Sequence, residues 1–184
     1  MGKPWRWFRR QRARQPERSA SVTITGTELV VRWIDAVTTA LATARPGPVE
    51  VIPARICDGM FTAASVTAVL IEKGADRNEY RVAHNRCMAA AVEFMKVLGE
   101  DTLRCHRVHT AQPVGWEHED EELDESLVVY HLGLLGEALQ LALCAVTTDR
   151  GLPEDIRESA EESGLLAADV LVEACEAVRT DPTV

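Results

Sequence analysis

The residues best equipped for chemistry in this 184-residue chain are Cys105-His106-Arg107-Val108-His109 and, further on, His118. Thiolate and imidazole are borderline-soft ligands that suit zinc, so a metal site would need Cys105, His109 and His118 to converge. Two features oppose it. No second cysteine lies nearby and no CxxC pair occurs, while Arg104 and Arg107 flank the cluster with positive charge. The nearby carboxylates lack the alternating ligands and central glycine of a calcium loop. No metal and no cofactor is expected.

Catalytic nucleophiles fare no better. There is no G-x-S-x-G, Walker or HExxH pattern, and no glycine-rich loop following a strand. His131 and Glu137 share the most apolar stretch of the chain but stand six residues apart, which places them on different faces of a helix. Glu137 reads either as a buried acid with a raised pKa or as a polar contact between helices. The expectation is a protein that is not an enzyme and has no small-molecule substrate.

What remains is charge. The first eighteen residues, MGKPWRWFRRQRARQPER, hold seven bases and one acid, a net +6, whereas the rest of the chain holds 13 bases and 28 acids, a net −15. Such asymmetry predicts a basic, aromatic N-terminal arm over residues 1–24 that seeks an anionic surface. Trp5, Arg6, Trp7, Phe8, Arg9, Arg10, Arg12 and Arg14 are the candidate contacts. On nucleic acid the arginines would pair with phosphates and the indoles stack on unpaired bases. An anionic membrane would take the same residues at headgroup level, although Pro4 and the short apolar stripe weaken that reading. A carboxylate-lined protein groove is the third surface. The acidic run Glu119, Asp120, Glu121, Glu122, Asp124 and Glu125 is a candidate acceptor for the arm of a neighbouring subunit, an exchange that builds rings or filaments.

The elements that would carry these groups read as helices. Thr25 and Glu28 make a capping box ahead of Val30, Ile34, Val37, Leu41 and Ala44, which predicts a first helix over residues 26–44. A second is expected from Pro53 to Lys73, with Gly74 as its C-cap. Behind a second capping box from Asp76 to Glu79, Tyr80, Ala83, Cys87, Ala91, Phe94 and Leu98 recur at steps of three and four up to Gly99, the clearest amphipathic segment. A fourth helix over about 120–147 begins among the acids, where the helix dipole favours them. Leu127 to Val146 is long enough to span a bilayer, but Glu137 interrupts it and four other helices are available to enclose it, so a buried central helix is expected. A tight crossing with another helix is the ordinary reason for Gly133 and Gly136 in it. A fifth helix runs from Pro153 to Arg179 with Ile156, Ala160, Leu166, Val170, Ala174, Cys175 and Val178 inward, unless Gly164 breaks it. Residues 100–120 give no clear pattern.

These elements predict an all-α fold: an antiparallel bundle of about five helices over residues 25–180, one acidic domain, with the extended basic arm before it. The five cysteines are odd in number and widely spaced, which suits reduced thiols in the cytoplasm, or in a particle assembled inside the cell. The function expected is structural: a helical assembly or adaptor protein, as in a virion connector or nucleoprotein complex. It would be a homo-oligomer or a subunit of a larger assembly, docking its arm on nucleic acid or an acidic protein surface. Two alternatives stand beside it. One is a DNA-binding regulator whose helix-turn-helix has Gly74 in the turn and Arg77, Asn78, Arg81, Asn85 and Arg86 on the reading helix. The other is a peripheral membrane-surface protein anchored by the arm.

Overall fold

The computed structural model of the chain describes residues 26–44, 51–75, 77–99, 101–103 and 123–180. In chain order they form α1 (Gly26–Ala42), α2 (Val51–Glu72), α3 (Asn78–Leu98), α4 (Glu125–Thr148), α5 (Glu154–Ser159), a π-helical turn (Ala160–Gly164) and α6 (Leu165–Arg179). No strand occurs among the described residues, and the fold is an all-α helical bundle.

Helix periodicity decides what faces inward. Val30, Ile34, Val37 and Leu41 of α1 are buried, as are Tyr80, Ala83, Cys87, Ala91, Phe94 and Leu98 of α3, the two stripes that the spacing predicts. With few aromatics, the core is built mainly of Leu, Val and Ala around Tyr80, Phe94, Ile34, Ile56 and Met60. Each large apolar side chain removed from water there stabilises the fold by roughly 1.5–3 kcal/mol. The buried hydroxyl of Thr67 returns to its own helix, donating to Ala63 O at 2.8 Å. Gly74 (φ 98°) and Gly99 (φ 77°) end α2 and α3 in the left-handed region, where a side chain would clash with the backbone. The predicted cap of α3 differs: Arg77 occupies the N-cap and makes no side-chain cap bond, because a guanidinium has no acceptor to offer a backbone N–H; it pairs with Glu125 instead. The Thr25 cap and Asp76 fall outside the described residues.

Around the bundle axis the packed neighbours run α1, α2, α3, α6, α4 and back to α1, with α2 touching α4 across the middle. Named contacts fix the directions. The Cys57 thiol donates to Ala91 O and His84 Nδ1 lies 2.8 Å from Ala64 O, so α2 and α3 are antiparallel. Gln140 Nε2 donates to Asp169 Oδ1 at 2.7 Å, and the Arg179 guanidinium lies over the Tyr130 ring, so α4 and α6 are antiparallel too. Yet Thr27 Oγ1 accepts from the Asp124 N–H at 3.0 Å while Asp35 meets His131, which makes α1 and α4 parallel. A closed ring with an odd number of rods cannot alternate throughout, and the parallel seam falls here.

Close approach explains one of the two glycines of α4. A methyl at Gly136 would stand 2.8 Å from Val172 Cγ2, whereas one at Gly133 would meet Cys175 Cβ at an ordinary 3.5 Å. Valine is stiff at χ1 and cannot swing aside. Gly136→Ala should therefore cost about 1–3 kcal/mol of overpacking, more than the ~1 kcal/mol that alanine gains in a helix. Gly133→Ala should keep that gain. Thermal unfolding should show Tm lowered by the first and raised by the second; shifts of the same sign would contradict this reading of the crossing.

Gly164 does not break the last helix. Its backbone is right-handed helical (φ −66°, ψ −55°), and the chain widens into the π turn that it closes. The inward row runs through it in steps of three and four, Ile156, Ala160, Gly164, Ala167, Leu171, Ala174 and Val178. Leu166, predicted inward, stands off that row and is exposed.

Candidate interaction face

The fourth helix departs most from expectation, because it is covered on one side only. Its inner residues Val128, Val129, Leu132, Leu135, Leu139 and Leu143 are fully buried. Its outer side carries Leu127, Tyr130, Leu134 and Leu141, all exposed, Leu141 by 75%. Steps of three, four and seven put these four in one row along the helix, with Glu137 exposed in the gap and Cys144 exposed just beyond. Glu137 is thus neither a buried acid nor a contact within the core. Both α2 and α4 are long and apolar enough to cross a membrane, by length and composition only; their most apolar windows are 67% and 44% buried in the fold. A position on the rim of the ring, with α1 and α6 on either flank, leaves the outer side of α4 without cover.

The flanks of the row are acidic. On the α1 side Asp35 Oδ1 lies 2.6 Å from His131 Nδ1, and its carboxylate remains half exposed. On the α6 side Asp169 holds Gln140, and Glu176 lies in the same helical row between Val172 and Arg179. The Arg179 guanidinium sits 5.7 Å from the centre of the Tyr130 ring, a cation–π arrangement, and the His131 ring meets the same tyrosine edge-on at 5.4 Å. Four carboxylates, from Asp35, Glu137, Asp169 and Glu176, therefore surround leucines and one tyrosine, with Arg179 at one end.

The acids at the head of α4 are used inside the fold. Asp124 is the N-cap, its Oδ1 accepting from the Leu127 N–H at 3.0 Å. Glu125 accepts from the Tyr80 hydroxyl at 2.7 Å and pairs with Arg77 Nε at 3.3 Å, which ties α3 to α4. Burial first, and then the bond to Glu125, hold the Tyr80 hydroxyl protonated far above its ordinary range. Asp124 thus caps α4, and Glu125 makes an interhelical contact. Glu119, Asp120, Glu121 and Glu122 lie outside the described residues. So do the arm residues Trp5, Arg6, Trp7, Phe8, Arg9, Arg10, Arg12 and Arg14, and the metal candidates Cys105, His109 and His118. Among the described residues no group of three His, Cys, Asp or Glu is placed to hold a metal ion.

Of the cysteines described, Cys57, Cys87 and Cys175 are buried and Cys144 is exposed. Burial pushes the thiols of Cys87 and Cys175 up to about 12. The Gly74 turn joins helices that run side by side from Ala64 and His84 to Cys57 and Ala91, whereas a helix-turn-helix crosses at a steep angle. The geometry around Gly74 gives the regulator reading no support.

Sequence reasoning missed the outer row of α4. Its leucines have helical spacing, but so do the leucines on the inner side, and a helix apolar all round does not declare which side is outward. No family model matches the chain, and no curated protein and no solved structure is detectably similar to it.

Proposed function

We propose that this chain is a non-enzymatic helical assembly or adaptor protein that docks through its basic residues 1–24 onto an anionic surface, either an acidic protein face or nucleic acid. The body is read as a bundle of about five helices, antiparallel except where α1 and α4 run parallel, that supplies packing faces, and the basic segment as its grip. The observation that carries the reading is the exposed row Leu127, Tyr130, Leu134 and Leu141 on a helix whose inner side is fully buried. Four large apolar side chains in line on a water-facing surface mark a place where another chain sits. The opposed charges, +6 over the first eighteen residues and −15 over the rest, favour attachment to something negative.

The test compares the full chain with one that starts at Ser21. Sedimentation would be measured for both, with binding to DNA, RNA and anionic vesicles at several salt concentrations. The full chain should associate or bind, less so as salt rises, and the shortened chain should do neither. Identical behaviour of the two would overturn the proposal.

A further inference from the structure

The outer face of α4 needs an occupant that is apolar and cationic at once. Leucines and a tyrosine call for aromatic or aliphatic cover, and Asp35, Glu137, Asp169 and Glu176 call for positive charge beside it. A second α4 laid on the first would bring the same four carboxylates against their own kind, a repulsion that acidic faces of identical sequence cannot avoid. The chain itself contains a segment with the required chemistry. Trp5, Trp7 and Phe8 alternate with Arg6, Arg9 and Arg10, and each aromatic side chain can bury 150–250 Å² by the usual scale of about that size.

We infer that the face formed by Leu127, Tyr130, Leu134 and Leu141 is the seat of residues 5–10 of this same chain, donated by a neighbouring copy. The inference rests on the assembly reading for its partner, and on the α4 face for its site. The geometry of the tether permits it. The first turn of α1 lies beside the head of α4, where Thr27 holds Asp124. From Phe8 to Gly26 the chain can reach roughly 60 Å at full extension, and the row from Leu127 to Leu141 is about 21 Å long. Reach is therefore ample for a neighbour, with each copy both giving a segment and receiving one. The aromatic side chains would cover the leucines, and the arginines would meet the flanking carboxylates in charge-assisted hydrogen bonds.

The experiment uses the full chain with Phe8 replaced by photoactivatable benzoylphenylalanine, cross-linked by light, with the adducts located by mass spectrometry. The expected adduct joins position 8 to residues 127–148 and runs at twice the chain's mass. Leu141→Glu should reduce it by roughly tenfold or more. As Leu141 is exposed, that variant should keep its helical circular dichroism. Val92→Glu, a comparable exposed apolar site on α3, should leave the adduct unchanged. An adduct on α4 that runs at the mass of a single chain keeps the docking site but overturns the donation by a neighbour, and with it the assembly reading. Adducts elsewhere, none at all, or adducts indifferent to Leu141→Glu overturn the site itself. Association that is lost in Leu141→Glu without any adduct on α4 assigns the face to a second α4 and likewise overturns the proposal.

Discussion

Gly164→Ala is expected to lower the unfolding free energy by about 1–3 kcal/mol, and Leu143→Ala in the same chain to give part of that loss back. A methyl at Gly164 would stand 2.5 Å from Leu143 Cδ2 and 3.4 Å from Phe94 Cε2, with both side chains fully buried. Leucine has a flexible end, but close packing around a fully buried side chain leaves it little room to move. Leu143→Ala alone should cost about 2–5 kcal/mol for the lost burial and the cavity left behind. Together the changes partly cancel, as the new methyl enters the space that the leucine vacates. Denaturant titration of the wild type, both single variants and the double variant would measure the coupling. A double variant less stable than the wild type by the plain sum of the two would contradict the proposed close approach of the π turn to α3 and α4.

Stability should also collapse in alkali, steeply between about pH 9 and pH 12. The thiols of Cys87 and Cys175 are held neutral by burial, up to about 12 in the folded protein. In the unfolded chain they ionise near ~8.5, the ordinary value for a thiol. Between these limits the folded state binds more protons than the unfolded state, so stability falls as pH rises. It is fully present below the unfolded value and lost as pH climbs to the folded one. Each thiol contributes a slope on the order of 1 kcal/mol per pH unit within that window, and the buried Tyr80 hydroxyl, also raised, acts in the same direction at higher pH. Urea midpoints measured from pH 7 to pH 11 should drop faster above pH 9. The Cys87→Ala/Cys175→Ala variant, although less stable at pH 7, should have the shallower decline. Equal slopes in the two proteins would rule out these thiols as the cause.

How much of this was legible in the residues differs from helix to helix. In α1 and α3 one stripe is apolar and the opposite side mostly polar, so the buried residues could be named from spacing, and Gly74 and Gly99 stand at the ends of α2 and α3 where the backbone turns left-handed. In α4 both sides are apolar, and periodicity has no contrast from which to tell the inner row from the outer one. Which side is free depends on where α1 and α6 dock, a fact of tertiary packing. The acids at the start of α4 were read by charge alone. Only the fold shows that Asp124 caps the helix and that Glu125 is held by Tyr80 and Arg77. The last helix keeps its expected length and buries Ala174, Cys175 and Val178 as spacing predicts, but Leu166 is exposed and a π turn closes at Gly164. An inserted residue within a helix leaves no mark on hydropathy.

One measurement bears most directly on the idea of a cationic grip on an acidic body. It is sedimentation equilibrium of the full chain, at low and at high salt, beside a variant with Arg6, Arg9, Arg10, Arg12 and Arg14 all changed to Gln. The account predicts self-association of the unaltered chain that weakens as salt is added, and a monomer at every salt concentration for the variant. Equal association of the two proteins, indifferent to salt, would contradict it.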